Sequence, residues 1–315
     1  MRRFFIRMTA ALCACFTITS CNNDDDNGYN PFDEVKTGKL LPSSITIEKN
    51  TDLISRSESW TDIVRDSLDR ITQYNYKYTT RGTYFESEER KCKIFYHTNH
   101  LSQEMITTKT EVTYTKIDIS NGISDSYRQN VFETITLNSS GYISDIASTI
   151  AEFNGVSTDP VMKTSARSFT YNGDYCVASE YTDETCKTTY TYNWNAYQLV
   201  GTTVLKENYI DGSIETTSHE YKYKNDEIYK YSGTHPLPFV QKGFPSIFAS
   251  MGYIGRFTPY VLSEENQSGH VNFNNESTST PDLQNKYYLE GDADTKLKYT
   301  ALSNIYKTFD IIFSK

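Results

Sequence analysis

The sequence predicts an all-β protein, in which an antiparallel meander of hairpin repeats forms one large curved sheet. Aromatic residues alternate with polar ones, as in Tyr74, Tyr76 and Tyr78. A period of two indicates strands with one packed side and one wet side. Turn dipeptides such as Asn121-Gly122 separate the alternating runs and favour tight hairpins. Helical periodicity is almost absent from position 39 onward, and the pattern is equally compatible with an open, a curled or a closed sheet.

The first 20 residues have the layout of a bacterial lipoprotein signal peptide. Three arginines precede a short apolar stretch from Met8 to Ile18. This stretch is too short to span a bilayer, because a spanning helix needs roughly 20 residues. It is followed by Ser20, the small residue that lipoprotein signal peptidase requires before the modified cysteine. Residues 1–20 are therefore predicted to be removed, and Cys21 is predicted to be the lipid attachment site.

Residues 21–38 are predicted to form an acidic flexible tether. The segment Asn22–Gly28 contains three consecutive aspartates. It resembles the acidic run that marks lipoproteins of the Bacteroidota for export to the outer face of the outer membrane. That resemblance implies a lipid-anchored protein at the cell surface, and a plain spacer with the anchor in the periplasm-facing leaflet is the alternative. Loss of the three signal arginines takes the formal charge from −9 to −12, so we expect no binding to nucleic acid, which requires a basic surface.

Three cysteines remain in the mature chain, Cys92, Cys176 and Cys186. An odd number permits at most one internal disulfide bond, and the last two are the nearest pair in sequence. A turn centred near Asp183 would place Cys176 opposite a position beyond Cys186, which is the wrong register for a bridge. We therefore expect free, buried thiols.

Four segments resemble the tyrosine-aspartate hairpin repeat, whose core runs Asp-x-x-Gly-Arg-Leu-x-x-x-x-Tyr. The first is Asp66–Tyr74, in which Asp69 stands where the repeat prefers glycine. Three more degenerate copies are Leu137–Ile143, Tyr171–Val177 and Tyr192–Leu199. Together with the lipoprotein start, the chain is similar to an uncharacterised family of Bacteroidota lipoproteins with such YD/RHS-like repeats. This resemblance implies a single repeat-built β domain over residues 39–315.

Residues 58–71 permit two interpretations. Strand-turn-strand is favoured, because the match to the hairpin repeat runs through the same residues. A helix is the alternative, because Ser59 could cap it and five apolar residues follow at helical spacing, namely Trp60, Ile63, Val64, Leu68 and Ile71.

The stretch from His235 to Tyr260 is the densest apolar part of the chain. Pro245 suits the first turn of a helix, so a short helix is predicted from about Pro245 to Met251. Residues 236–260 are expected to cover the aromatic side of the sheet, because a sheet with one apolar side must bury it. Two closing strands are expected near Lys286–Glu290 and Ile305–Phe313, and the polar run Ser263–Asp282 that precedes them is interpreted as a mobile loop.

The sequence contains no motif for catalysis or for a cofactor. It has no Gly-x-Ser-x-Gly elbow and no glycine-rich phosphate loop, so we predict no enzyme and no cofactor. His97, His100 and Glu104 carry side chains that can bind metals, but strand positions three apart point to opposite sides. No metal site is therefore predicted. The charged run 86–91 is interpreted as a solvated strand end or loop.

Trp194 is the most suggestive candidate for ligand binding. It lies in the apparent turn Asn193–Asn195, and an indole at a hairpin tip leaves apolar area in water unless something stacks on it. Tyr192 and Tyr197 flank it, so the three could form a platform for a sugar ring. Packing of Trp194 against the next hairpin is the alternative.

These observations favour a non-catalytic binding or scaffold module, with glycans as the favoured ligand class. One alternative is a structural partner in an envelope protein complex, joined by strand addition at an exposed edge. A second is a hydrolase with a site assembled from distant residues. The hydrolase requires a deep cleft in which at least two Asp, Glu or His side chains converge.

Overall fold

The computed structural model describes residues 44–50, 55–99, 104–122, 124–154, 159–229, 235–240, 243, 245–273, 276–290, 296–304 and 308–314. Within these ranges the chain forms sixteen antiparallel strands in one closed barrel, each paired with its neighbours in sequence, and the first strand pairs with the last. The predicted all-β meander is confirmed, and the sheet is closed. The predicted signal peptide, Cys21 and the tether lie outside the described residues.

The strands follow one another in chain order. They are β1 (Ser44–Asn50), β2 (Ser55–Arg65), β3 (Ile71–Arg81), β4 (Tyr84–Thr98), β5 (Glu104–Asp118), β6 (Ser124–Leu137), β7 (Ile143–Asn154), β8 (Val161–Asn172), β9 (Tyr175–Asp183), β10 (Cys186–Asn195), β11 (Gln198–Asn208), β12 (Ile214–Ile228), β13 (Tyr260–Phe273), β14 (Glu276–Glu290), β15 (Lys296–Ser303) and β16 (Thr308–Ser314). Two short helices, α1 (Leu237–Val240) and α2 (Ser246–Ser250), lie between β12 and β13. No helix in the described ranges is long and apolar enough to cross a bilayer.

Residues 58–71 form strand, turn and strand, as the favoured interpretation predicted. The carboxylate of Asp66 accepts hydrogen bonds from the backbone N–H groups of Leu68 (2.9 Å) and Arg70 (3.0 Å). This side-chain cap closes the turn without glycine, and Asp69 has a positive φ of 64°, a conformation that glycine adopts at no steric cost. Asn138 closes the turn between β6 and β7 in the same way, with bonds from Ser140 (2.9 Å) and Tyr142 (3.0 Å).

The four repeat-like segments share one further contact. Each contains, at the first or second position of a strand, a buried residue whose carbonyl oxygen accepts a hydrogen bond from an aromatic side chain on the following strand. The four bonds run from Tyr96 to Ile71 (2.8 Å), from Tyr171 to Ile143 (2.7 Å), from Trp194 to Cys176 (2.7 Å) and from Tyr223 to Leu199 (2.7 Å). Each bond therefore connects the beginning of one strand to an aromatic side chain of the next strand.

The segment between β12 and β13, called the plug, crosses the barrel interior; its described residues are 235–240, 243 and 245–259. Phe239 packs on Trp60 of β2 at a ring distance of 5.3 Å, while Gly243 lies against the ring of Tyr190 on β10. These two strands are eight positions apart in the ring of sixteen, and so lie on opposite walls. The predicted cover on the aromatic side is thus confirmed, and it lies inside a barrel too wide for wall side chains alone to fill.

The predicted short helix is confirmed. α2 spans Ser246–Ser250, Pro245 is its N-cap residue and Met251 its C-cap residue. Ile247 and Phe248 are buried in the core, which the plug and the inward residues of the wall build together.

The prediction of a loop over Ser263–Asp282 is wrong. β13 and β14 run through most of it, although few of its residues are apolar. Both strands have a paired neighbour on each side, so backbone hydrogen bonds sustain them where the side chains are polar. Pro281, which cannot donate such a bond, lies where the register shifts between Gln267 and Gly269, a position that suits proline in a sheet.

Closure also corrects the strand-addition hypothesis. β1 pairs with β2 on one side and with β16 on the other, so every strand in the described part of the chain has two neighbours. A closed barrel presents no unpaired edge on which a partner strand could add.

Candidate ligand pocket in the barrel interior

A cavity of about 400 Å³ lies inside the barrel, between the wall from β2 to β9 and helix α2. It combines aromatic rings with two arginines and two glutamates. Its lining comprises Glu58, Trp60, Tyr74, Tyr76, Arg90, Thr110, Val131, Glu133, Ile146, Ser148, Ser165, Ala166, Arg167, Tyr181 and residues 245–248. We call this cavity the lumen pocket.

The aromatic part of the lumen pocket is built on β2 and β3. Trp60 and Tyr76 are cross-strand partners, and their rings lie 4.9 Å apart at an angle of 57°. Phe239 of the plug also packs on the indole, and Trp60 is 6% exposed. The Tyr76 hydroxyl donates to Glu58 (3.2 Å), and burial together with the Glu58 charge raises the pKa of Tyr76 well above its usual range. The ring therefore stays neutral and fixed in place.

Two arginines supply the positive charges. The Arg90 guanidinium donates to Glu88 (2.5 Å) and lies 5.6 Å from the ring centre of Tyr76. Arg167 donates to the carbonyl oxygen of Gly243, and its guanidinium lies 5.2 Å from the ring of Tyr181. Arg167 thus fixes the plug to the wall, while Arg90 is held by a carboxylate and a ring on the wall itself.

Two glutamates supply the negative charges. Glu58 accepts from Arg56 and from Tyr76, and Glu133 accepts from Thr108 (2.7 Å) and Ser148 (3.5 Å). Both carboxylates line the same cavity. The lumen pocket thus offers the hydrolase alternative two acidic side chains, one from β2 and one from β6.

The structure does not bring the predicted sugar platform together as an exposed surface. Tyr192 is 3% exposed, and its hydroxyl lies 3.0 Å from that of Ser179. Trp194 lies at a register shift near the end of β10, where it is half-buried, and its ring packs 4.7 Å from that of Tyr175. The turn tip is at Ala196 and Tyr197 instead, and of the three candidates only Tyr197 is exposed. Trp194 takes the place that tyrosine occupies in the other three repeat-like segments.

The remaining candidates are placed as follows. Cys92, Cys176 and Cys186 are buried free thiols, as predicted. His97 is exposed and its Nε2 lies 2.8 Å from the Thr107 hydroxyl, whereas His100 lies outside the described residues. Among the residues that the structure describes, no group of three His, Cys, Asp or Glu side chains could hold a metal ion.

Sequence reasoning missed the residues of the lumen pocket. The interpretation of the run Glu86–Lys91 as a strand end or loop is wrong, because these residues lie within β4. Arg90 shares the inward parity of Cys92 and Ile94, both buried. The signal that could have found the site is a charged residue on the same side of a strand as the inward aromatic residues. Glu58, two residues before Trp60 on β2, is an example.

No family model and no curated protein significantly matches this chain. The solved structures that are similar to it include two porin-like proteins. A porin-like protein from Bacteroides vulgatus ATCC 8482 is 12% identical with a TM-score of 0.53, over 88% of this chain and 98% of that chain. A porin-like protein from Bacteroides uniformis ATCC 8492 is 13% identical with a TM-score of 0.49, over 89% of this chain and 99% of that chain. At 12% identity the first structure shows a shared fold and nothing more.

Proposed function

We propose that this protein is a non-catalytic binding module of the bacterial envelope that takes a glycan into the lumen pocket. The observation that supports this most is the composition of the pocket, where aromatic rings stand beside hydrogen-bonding groups of both kinds in a cavity of about 400 Å³. Pockets for small molecules combine an apolar lining with a few placed polar groups in this way.

The charges of the lining favour a neutral, hydroxyl-rich ligand. Two arginines and two glutamates line the pocket, so its formal lining charge is balanced. A hydroxyl group both donates and accepts, and a sugar can therefore bond to Arg90 and to Glu133 without carrying charge. The half-buried rings of Tyr76 and Tyr181 in the lining offer apolar area to the C–H side of a sugar ring.

Charged residues on the outer wall of the barrel support the proposal that the barrel stands in water, with a lipid on Cys21 as the proposed membrane anchor. Outward positions in mid-strand carry charged pairs, among them Lys77 with Glu89 (2.8 Å) and Lys222 with Glu264 (2.7 Å). A barrel embedded in lipid presents an apolar band about 25 Å tall at these positions. We propose that the acidic tether presents the barrel at the surface of the outer membrane, as in the repeat-containing lipoproteins that the sequence resembles.

A glycan array, followed by calorimetry on each glycan that binds, tests the proposal. Arg90→Gln removes a charged hydrogen-bonding group from the pocket, and loss of such a bond typically costs about 1.5–3 kcal/mol, or roughly 10- to 150-fold in affinity. Lys91→Gln is the matched control, since the neighbouring residue is exposed on the outer wall. A wild-type protein that binds no glycan, or equal affinities in the two variants, would refute the glycan proposal.

A hydrolase is the second candidate function, because Glu58 and Glu133 line the same cavity. Glycoside hydrolysis uses two carboxylates on opposite sides of the scissile bond. Incubation of each bound glycan with wild type, Glu58→Gln and Glu133→Gln, followed by mass spectrometry, separates binding from cleavage. Products that form with wild type and not with either variant would establish an enzyme, and intact glycan throughout supports the binding module.

A further inference from the structure

A second row of inward side chains lies directly beside the lumen pocket. Cross-strand pairing joins Glu58, Tyr78, Glu88, Tyr114 and Tyr127 on the five adjacent strands β2 to β6. The neighbouring row contains the pocket residues Trp60, Tyr76 and Arg90. Two residues along a strand separate the rows, which is about 7 Å. We call the second set the tyrosine row.

The tyrosine row lies farther from the plug than the pocket does. The plug contacts the turns at one end of the barrel, where Ile143 donates to the Tyr253 carbonyl (2.8 Å) and Arg256 donates to the Asp174 carbonyl (2.8 Å). β2 runs toward that end, and Glu58 precedes Trp60 on this strand. Glu58 and its row therefore lie farther from the plug end than Trp60 and its row. A ligand that leaves the pocket along this wall therefore passes over the tyrosine row.

The rings of the tyrosine row lie outside the core. Tyr114 and Tyr127 stack at 4.6 Å with an interplanar angle of 18°, and both are half-buried. Tyr78, Tyr114 and Tyr127 belong neither to the buried core nor to the residues packed against it. The Tyr114 hydroxyl donates to Glu86 (3.2 Å), and partial burial with that carboxylate raises the pKa of Tyr114 to about 12. Ordered rings with free area next to a pocket are suited to contact with a ligand.

Hydrogen-bonding groups surround these rings. Lys116 pairs with Glu86 (3.3 Å), and Glu152 accepts from Gln129 (2.8 Å) and Lys163 (2.9 Å). The surroundings of the row thus repeat the chemistry of the pocket, in which rings stand beside paired charges.

We infer that the barrel binds a linear glycan of at least two sugar units, with one unit in the lumen pocket and the next on the tyrosine row. This inference rests on the proposed function and adds the chain length and direction of the ligand. The terminal unit lies against α2 and the chain extends away from the plug. The tyrosine row then contributes affinity only when a second unit is present.

The test measures affinity against chain length by calorimetry, with malto- and chito-oligosaccharides of one to five units as probes. For wild type we expect the affinity to rise about tenfold from one unit to two, the scale expected for one or two aromatic contacts. Tyr114→Ala and Tyr127→Ala are expected to lose this gain and to keep the monosaccharide affinity within about twofold. Tyr127→Phe retains the ring, so it should retain the gain.

Controls separate this inference from the proposed function. Arg128→Gln changes the exposed outward neighbour of Tyr127 and should leave the whole series unchanged, while Arg90→Gln should weaken every length. Equal wild-type affinity for one and two units, or a gain that survives both alanine variants, would overturn the two-unit site and leave the pocket intact. Absence of binding at every length would count against the proposed function itself.

Discussion

His235 should make the stability of the barrel depend on pH. It is the first described residue of the plug and is 2% exposed. Its Nδ1 accepts a hydrogen bond from the backbone N–H of Leu237 (3.1 Å), and its ring lies 4.8 Å from Tyr229 and 5.6 Å from Phe257. Burial lowers the pKa of His235 from 6.5 to about 3, because a charged imidazolium would lose its hydration.

The sign and size of the effect follow from proton binding. Below pH 6.5 the unfolded chain binds a proton at this position and the folded chain does not, so the free energy of unfolding falls as the pH falls toward 3. Each pH unit in this window is worth about 1.36 kcal/mol. Between pH 6.5 and pH 4.5 His235 should therefore remove about 2–3 kcal/mol of stability.

Urea unfolding at several pH values between 4.5 and 7.5 measures this slope in wild type and in His235→Asn. Asparagine retains an oxygen that can accept from the N–H two residues on and does not titrate. The variant should be less stable at pH 7.5, because the smaller side chain leaves space beside Tyr229 and Phe257. Its free energy of unfolding should fall less steeply on acidification, with a slope against pH that corresponds to about one bound proton fewer than in wild type. His97→Asn, on the exposed outer wall, is the control. A wild-type slope retained in His235→Asn would refute the reasoning.

Three further changes have defined outcomes. Glu265→Gln should cost about 1.5–3 kcal/mol in urea unfolding at pH 7, because it weakens the hydrogen bonds that Asn285 and Tyr287 donate to a charged carboxylate. Burial alone would raise the pKa of Glu265, but the bonds from His219, Tyr287 and Asn285 lower it, so the stability that this carboxylate contributes is lost as the pH falls through its folded pKa. Trp194→Phe should cost about 1–3 kcal/mol by leaving the Cys176 carbonyl unpaired, and unchanged stability would contradict the repeat contact. A thiol reagent at pH 8 should label none of the three buried cysteines until urea unfolds the chain, because burial raises the pKa of Cys176 to about 12 and also that of Cys92.

The hairpins could be predicted from the sequence because their signals are local. The parity of Tyr74, Tyr76 and Tyr78 and the side-chain cap of Asp66 act within a few residues. Closure is not local, since a strand has the same alternation in an open sheet and in a barrel. The pairing of Ile45 with Phe313 joins residues from opposite ends of the chain, and nothing within either strand specifies its partner.

The polar strands and the lumen pocket were missed for a related reason. In an open sheet an inward charge would need a partner from some covering layer, so the run Glu86–Lys91 reads as solvent-exposed. Arg90 instead finds its partners on the sheet itself, because Glu88 lies on the same strand and Tyr76 on the neighbouring strand. Polar residues of β13 are satisfied likewise, as Glu265 is by His219 across the strand pair (3.0 Å).

The position of the pocket follows from how a single segment fills a wide barrel. A ring of sixteen strands leaves a lumen that wall side chains cannot close, and the plug fills it unevenly. His235 packs against Phe257 and against Tyr229, whose ring in turn packs against Tyr299 of β15. α2 stands opposite β2 to β9 with the cavity between them. Enlarging the plug on that side should therefore compete with the ligand. Ser246→Phe places a ring into the lumen pocket and is expected to abolish glycan binding while the urea midpoint changes little, whereas ligand affinity that survives this substitution would place the ligand elsewhere on the protein.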